Sequence, residues 1–236
     1  MERQLTSANL SYEFVEAVEG RELTPDEWLR VVDAEAVARY PWWLTPGAVG
    51  CILSHRLVYE RIAETGQRRA LVLEDDARLP PAFASIADVL AEHVADDDVL
   101  LLNFRSFEPC RLSASDAVTA GEHELMRPVD PSQVISALAY IVGVRAAERM
   151  AQMIIPVRFA ADSWGEYVTG GAIASLRCAF PRPVVPSKTV TSTIRHGDAG
   201  GRPSFAKQVL TLPVDSLRQA NRWRIARQMT RVEIVH

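Results

Sequence analysis

The chain has 236 residues and a formal net charge of −4, with 48% hydrophobic and 24% charged residues. These values are typical of an ordinary globular protein that can bury a core of normal size. The acidic balance argues against a general nucleic-acid-binding protein, because such proteins normally present a basic surface. We therefore expect no nucleic-acid partner.

The cysteines and the apolar runs indicate the compartment in which the protein works. Cys51, Cys110 and Cys178 are odd in number and widely spaced, and no CxxC pair occurs. Neither a disulfide framework nor a structural zinc site is therefore expected. Residues 1–14 contain no apolar segment of the secretory-signal type, and no run approaches the roughly 18 apolar residues of a membrane span. These features predict a cytoplasmic protein.

The first quarter of the chain contains two well-marked helix starts. Residues 12–18 alternate between apolar and polar side chains, which predicts a short strand. Thr24, followed by a proline and two acids, predicts the start of a short helix. Thr45 and Pro46 begin a longer helix, which we expect to end just before Gly66.

Two glycines lie inside this longer helix. Gly47 and Gly50 share one stripe with Cys51 and Ser54 at helical spacing. Each interior glycine costs about 1 kcal/mol relative to alanine. Such a cost indicates that a ligand or another backbone approaches this face closely, or that the helix packs tightly on a strand. The sequence leaves these alternatives open.

Strands and helices alternate through the middle of the chain. Apolar runs predict buried strands at residues 70–73, 98–104 and 137–144, and a helix follows the last of them at 145–153. Residues 105–133 are polar and irregular and predict a long functional loop. The alternation predicts one α/β domain over residues 1–236, with a mainly parallel sheet flanked by helices.

An acidic cluster follows the first predicted buried strand. Glu74, Asp75 and Asp76 come directly after residues 70–73, where open α/β sheets bind their ligands. Three adjacent acids repel one another unless a cation is present, and carboxylate oxygens suit Mg²⁺ and Mn²⁺. The reaction that gains most from such an ion is the departure of a diphosphate. The alternative is a solvated acidic turn, which is how we interpret residues 96–98, because they precede their strand.

Three segments together resemble glycosyltransferase family 25, the lipopolysaccharide-biosynthesis glycosyltransferases related to the collagen galactosyltransferases. The segments are YEFVEAVEG at 12–20, LTPGAVGCILSH at 44–55 and ALVLEDD at 70–76. Weaker similarities lie at 139–142, at Asp162 and at 192–194. The joint occurrence of the second and third segments, about 20 residues apart, is specific, whereas either alone is weak.

The resemblance implies a GT-A-like Rossmann-type fold and an inverting transfer from a UDP-sugar, most often UDP-galactose, with Mn²⁺ or Mg²⁺ as cofactor. Glu74, Asp75 and Asp76 stand where the family has its "DxD" motif, which implies Asp76 and Glu74 as metal ligands and Asp75 as a donor-binding residue. Ser54 and His55 match the family motif and are expected near the nucleotide. For His55, a buried histidine with satisfied hydrogen bonds is the alternative.

One element of the family pattern is missing. Family members usually begin with a strand that carries an "INLxRxxxR" pattern, and residues 1–5 resemble the middle of the helix that follows that strand. The first strand is therefore expected to be absent. Either the start of this sequence is internal, or part of the donor site is lost.

Two further residues are candidates for the chemistry. Asp162 is an isolated acid in an apolar stretch that matches a family aspartate, and we interpret it as the base that accepts the acceptor's proton. It could instead cap the helix predicted to follow, or contact the donor sugar. His196 is a candidate late metal ligand, with an exposed loop histidine as the alternative.

The sequence ends in a basic segment. A predicted helix at about 215–232 carries five arginines, which favours peripheral contact with an anionic membrane at its inner face, where lipid-linked acceptors reside. A solvated helix face is the alternative. The expected function is sugar transfer to a saccharide or lipid-linked acceptor in cell-surface polysaccharide synthesis. The competing hypotheses are a non-catalytic binding subunit and a metal-dependent phosphoryl-transfer or hydrolytic enzyme, although no P-loop motif occurs.

Overall fold

The structure is a computed structural model that describes residues 1–106, 108–187 and 232–235. His196, and all but the last residue of the predicted helix at 215–232, lie outside this part of the chain. Within it, no helix combines the length and the apolar character needed to cross a membrane.

Three short helices precede the first strand, namely α1 (Glu2–Ser7), α2 (Pro25–Val31) and α3 (Ala34–Arg39). The predicted start at Thr24 is confirmed, because its hydroxyl accepts from the backbone N–H of Glu27 while the Glu27 carboxylate accepts from that of Thr24. The predicted strand at 12–18 is wrong. Its alternation does not lead to strand pairing, and the backbone N–H of Val18 donates to a helix side chain, Ser54, at 2.9 Å.

The long helix α4 (Pro46–Thr65) begins and ends as predicted, with Thr45 as cap and Gly66 in the left-handed conformation at φ +66°. Gly50 lies against the backbone of the preceding segment, since a Cβ there would stand 2.5 Å from the carbonyl oxygen of Val18. A Cβ on Gly47 would meet nothing within 4 Å. Close backbone packing therefore explains one of the two glycines.

The remaining helices alternate with the strands of the sheet. The helices are α5 (Phe83–Ala91), α6 (Val144–Ile154) and α7 (Trp164–Thr169), with a 3₁₀ helix at Pro131–Gln133. The strands of the large sheet are β1 (Arg69–Leu73), β3 (Asp98–Leu101), β5 (Cys110–Ala120), β6 (His123–Pro128), β8 (Ala139–Gly143), β9 (Ser175–Phe180) and β11 (Val232–Val235). Two small ribbons pair β2 (Ala77–Arg78) with β10 (Val185–Pro186) and β4 (Arg105–Ser106) with β7 (Val134–Ile135).

The large sheet has the strand order β1-β8-β3-β9-β6-β5-β11 over the described residues. Five of its seven strands run in one direction, while β8 and β6 run in the other. The α/β fold with flanking helices is confirmed. The prediction of a mainly parallel sheet holds in that most strands point the same way. Most neighbouring strands are nevertheless antiparallel, in part because β8 lies between β1 and β3 and runs opposite to both. A strand that is buried on both faces has the same apolar pattern whichever way it runs, so the sequence does not indicate the direction of β8.

The predicted long loop at 105–133 is wrong. It contains β4, β5 and β6, and β5 and β6 form a hairpin whose turn uses Gly121 at φ +61°. The segment is polar because much of β5 is exposed or half-buried. Its pairing also shifts register between Ser113 and Val118, which interrupts the alternation by which a strand is recognised.

Helices cover both faces of the sheet. Tyr140 and Val142 of β8 belong to one core cluster, which includes residues of α4 and α6. Ala139 and Ile141 of the same strand belong to the other cluster, which includes residues of α5. The sheet is therefore the middle of three layers.

Candidate functional site

The acidic segment leaves the sheet at the carboxyl end of β1. The backbone N–H of Glu74 donates to the carbonyl of Leu138, just before β8, at 2.9 Å. The backbone N–H of Asn103, just after β3, donates to the carbonyl of Ala139 at 3.2 Å. The antiparallel insertion of β8 thus brings three loops together at one edge of the sheet, which we call the carboxyl edge. This is where the sequence predicts a ligand.

Asp76 has one carboxylate oxygen that is buried without a partner in the described part of the chain. This oxygen, Oδ1, makes no hydrogen bond to any residue of 1–106, 108–187 or 232–235, while the main-chain carbonyl of Asp76 accepts from the backbone N–H of Ser187 at 2.7 Å. Burial raises the pKa of Asp76, and the charges of Glu74 and Asp75 raise it further. A buried oxygen without a partner, repelled by neighbouring acids, is a position that a cation would stabilise.

Asp162 belongs to the same edge. Its Oδ2 accepts from the backbone N–H of Ser136 at 3.0 Å. The helix α7 has Ser163 as its cap residue and no side-chain cap bond, so the carboxylate of Asp162 does not cap the helix. Burial raises the pKa of Asp162, and the negative charge of Glu74 adds to this effect. A raised pKa makes a carboxylate a better proton acceptor.

Ser136, which holds Asp162, is fixed from several sides. Its φ of +101° is unusual for a residue with a side chain. Its hydroxyl donates to Asn103 at 2.9 Å, the Asn103 amide donates to the carbonyl of Val184 at 2.9 Å, and the Trp164 indole donates to the Ser136 carbonyl at 3.1 Å. Backbone conformations of this kind persist where the surroundings determine them strongly, and they are concentrated at functional sites.

Arg105 is a positive group at the carboxyl edge. It is exposed on β4, and its charge lowers the pKa of both Asp76 and Asp162, so it lies within electrostatic reach of both. Sequence reasoning missed Arg105, Asn103 and Ser136. The polar Asn103 within the otherwise apolar run 98–104 was the available signal, because it follows a buried strand as the acidic segment does.

His55 lies behind Glu74 and is buried. Its Nε2 is 3.5 Å from the Glu74 Oε1, and its Nδ1 is 2.8 Å from the hydroxyl of Tyr140, which donates to the hydroxyl of Tyr59 at 3.0 Å. Burial alone would lower the pKa of His55, but hydrogen bonds to Cys51 and Glu74 raise it well above its ordinary value. His55 is thus a buried partner of Glu74.

Cys51, His55 and Glu74 could together hold a metal ion, since their ligand atoms all lie within 4.8 Å of one another. No cysteine pair marks this group in the sequence, because Cys51 and His55 are four residues apart on one helix face and Glu74 directly follows β1.

The other predicted site residues differ in their placement. Asp75 is exposed beside Asp76. The Ser54 hydroxyl accepts from the backbone N–H of Val18 and donates to the carbonyl of Gly50 at 2.7 Å, so backbone contacts account for this side chain. Its contact with a nucleotide stays a prediction. The structure thus brings His55, Glu74, Asp76 and Asp162 to one edge, while His196 lies outside the described residues.

Residues 1–164, which include His55, Glu74, Asp76 and Asp162, match the family described as glycosyltransferase family 25 (LPS biosynthesis protein). The chain belongs to glycosyltransferase family 25. A family 25 member from Aedes aegypti is 39% identical over 87 residues, which are 34% of this chain and 14% of that protein. Procollagen galactosyltransferase 2 from Homo sapiens is 33% identical over 88 residues, 35% of this chain and 14% of that protein.

A third relative carries a different description. The probable inactive glycosyltransferase 25 family member 3 from Bos taurus is 29% identical over 161 residues, 63% of this chain and 26% of that protein. The chain therefore spans about a quarter or less of the length of these relatives. Because the family includes proteins described as inactive, the activity of this chain has to be argued from its own site.

Proposed function

We propose that this chain is an inverting glycosyltransferase that moves a sugar from a UDP-sugar to a hydroxyl of a saccharide or lipid-linked acceptor. The observation that carries the proposal is the buried Oδ1 of Asp76, which has no hydrogen-bond partner among the described residues and lies next to Glu74 and Asp75 at the carboxyl end of β1. The name of the human relative makes galactose the first sugar to test. The family description, which names lipopolysaccharide biosynthesis, supports a role in cell-surface polysaccharide synthesis. A cytoplasmic location stays a prediction from the sequence.

The acidic segment fits a hard divalent cation. Asp76 and Glu74 would hold Mn²⁺ or Mg²⁺ through carboxylate oxygens, with His196 as a further predicted ligand. Such ions are commonly bound by one or two carboxylates together with phosphate and water, so a complete protein cage is not required. When bound, the ion would neutralise the negative charge that develops on the departing diphosphate.

Asp162 is suited to accept the proton of the attacking hydroxyl. One of its oxygens is fixed by Ser136, which leaves the other available to the acceptor. The raised pKa of Asp162 is closer to the working pH, and a general base is most effective when its pKa is near that pH. The bonds from Ser136 to Asn103 and from Trp164 to Ser136 keep this carboxylate in position. Contact with the donor sugar is the alternative role for Asp162.

Calorimetric titration of UDP and UDP-galactose, with Mn²⁺ and with EDTA, tests the proposal. We expect binding in Mn²⁺ for the wild type and for the control Asp88→Asn, whose exposed side chain lies on α5. Binding should be lost in EDTA and in Asp76→Asn. A folded wild type that binds neither ligand would contradict the proposal and favour a non-catalytic subunit. Turnover of phosphate esters without any acceptor would favour the phosphoryl-transfer or hydrolytic alternative.

The non-catalytic alternative has one observation in its favour. Glu74 is engaged by His55, so the acidic segment is partly neutralised without a metal ion. Sugar transfer from UDP-galactose to any saccharide acceptor would exclude this alternative.

Peripheral membrane contact through residues 215–232 is a separate part of the proposal, supported by the five arginines of that segment. Co-sedimentation with vesicles that contain anionic lipid should weaken strongly when residues 215–236 are deleted. Equal binding by the shortened chain would contradict it.

A further inference from the structure

A sulfur, a nitrogen and an oxygen ligand meet behind the acidic segment. Cys51 and His55 lie four residues apart in α4, so they project from one face of the helix, and Glu74 reaches them from the end of β1. Across residues 1–106, 108–187 and 232–235, this is the one group of three His, Cys, Asp or Glu side chains whose ligand atoms all lie within 4.8 Å.

The distances suit a small tetrahedral ion. Zinc bonds of about 2.0–2.2 Å to nitrogen and oxygen, at a tetrahedral angle, place the two ligand atoms roughly 3.3–3.5 Å apart. The His55 Nε2 and the Glu74 Oε1 are 3.5 Å apart. The Cys51 sulfur lies within 4.8 Å of both of these atoms.

The second nitrogen of the histidine is already oriented. The Tyr140 hydroxyl lies 2.8 Å from the His55 Nδ1 and bonds onward to Tyr59, which leaves Nε2 directed at Glu74. A hydrogen bond to the other ring nitrogen is what fixes the tautomer and ring orientation of metal-binding histidines.

We propose that Cys51, His55 and Glu74 form a site for Zn²⁺ that is chemically distinct from the oxygen-only acidic segment. Thiolate and imidazole ligands favour Zn²⁺ over Mg²⁺ and Mn²⁺, whereas the carboxylates of the acidic segment favour the reverse. Binding releases two protons to solvent, the thiol proton of Cys51 and the Nε2 proton of His55. Three protein ligands leave a fourth position for water, so the site is open.

Sharing Glu74 makes this site inhibitory. Zn²⁺ at Cys51 and His55 recruits the carboxylate that the proposed function assigns to Mn²⁺ together with Asp76. Zinc therefore weakens Mn²⁺-dependent nucleotide binding. This consequence, unlike the site itself, rests on the proposed function.

Titration of Co²⁺, a spectroscopic substitute for Zn²⁺, into the full chain under reducing conditions tests the site directly. A thiolate-to-cobalt charge-transfer band in the near ultraviolet is expected in the wild type and should disappear on addition of Zn²⁺. The chain has three cysteines, so Cys51→Ser should abolish the band, and the control Cys110→Ser, at a buried thiol, should retain it. His55→Gln should weaken cobalt binding at least tenfold.

Two results would overturn the proposal: no band in the wild type, or a band that persists in Cys51→Ser. Because His55 is buried, circular dichroism of each variant accompanies the titration, and the result for the half-buried Cys51 decides the test. Asp76→Asn separates the two proposals, since it should keep the cobalt band while losing Mn²⁺-dependent UDP binding. Inhibition by Zn²⁺ should be seen in the wild type and be lost in Cys51→Ser.

Discussion

Two acidic triplets, at residues 74–76 and 96–98, have nearly the same composition and different surroundings. The first follows β1 at the carboxyl edge, and the second precedes β3 at the opposite edge. Arginines neutralise the second triplet: Arg68 and Arg145 pair with Asp96 at 3.0 and 3.3 Å, and Arg149 pairs with the next aspartate. In the first triplet, the buried His55 lies beside Glu74, and Asp76 has an oxygen without a hydrogen-bond partner in the part of the chain that the structure describes.

Asp76 in the first triplet and Asp96 in the second have pKa shifts of opposite sign. The hydrogen bond from Arg68 lowers the pKa of Asp96, whereas burial and neighbouring acids raise that of Asp76. Acids paired with arginine stabilise the fold as they are, but acids that repel one another are suited to a cation. The comparison teaches that the position of a triplet relative to its strand, and the charges around it, decide its chemistry.

The largest expected effect is on catalysis at the carboxyl edge. Asp162→Asn removes the proposed proton acceptor, and kcat should fall by about 10²–10⁴-fold while UDP binding is kept. The measurement is UDP release from UDP-galactose in the presence of a saccharide acceptor that the wild type uses. The matched change at the opposite edge, Asp97→Asn, should leave kcat within about twofold. Equal losses in the two variants would contradict the distinction between the edges.

A smaller effect is expected from the tyrosine pair behind Glu74. Tyr140→Phe leaves the buried Nδ1 of His55 without its partner and should lower the free energy of unfolding by about 1–3 kcal/mol. Tyr59→Phe should cost less, because the Tyr140 hydroxyl keeps its bond to His55. Urea unfolding measures both. High salt should weaken the exposed ion pairs around Asp96 but leave unchanged the difference in free energy of unfolding between the two tyrosine variants. If that difference depends on salt, charge rather than the buried network dominates.

The smallest effect is the dependence of stability on pH, measured in EDTA. Asp76 binds its proton more tightly in the folded state than its ordinary pKa of 3.8 implies, so its ionisation destabilises the fold as pH rises above that value. Asp76→Asn should therefore raise Tm relative to the wild type, by an amount that grows as pH rises above 3.8. Asp96, with its lowered pKa, stabilises the fold above 3.8 and loses this contribution as pH falls below it. Asp96→Asn should lower Tm at neutral pH, and the two variants should not shift Tm in the same direction there.

Much of the fold was predictable because its signals are local. The cap at Thr45, the left-handed Gly66 and the apolar run before Glu74 each specify an element within a few residues. The direction of β8 and the β5–β6 hairpin were not, since pairing depends on distant partners. For a buried strand such as β8 the apolar pattern is the same whichever way the neighbours run.

The candidate site divides in the same way. Glu74 and Asp76 follow a strand, so their place at a sheet edge could be predicted from position alone. Asn103 and Ser136 reach that edge only because β8 is inserted between β1 and β3. Cys51 lies close to Glu74 because α4 packs on the sheet. The spacing of cysteines along the sequence does not indicate this contact.

The first helix of the chain contacts the segment that directly follows the acidic triplet 74–76. The Gln4 side chain donates to the carbonyl of Ala77 at 3.0 Å and accepts from the backbone N–H of Leu79 at 2.9 Å, so it pairs with the chain directly after Asp76 as a neighbouring strand would. A purification tag fused before Met1, or removal of the first few residues, would therefore act on the loop that carries the acids. Affinity measurements on this protein should accordingly use a tag at the other end or a tag that has been cleaved off.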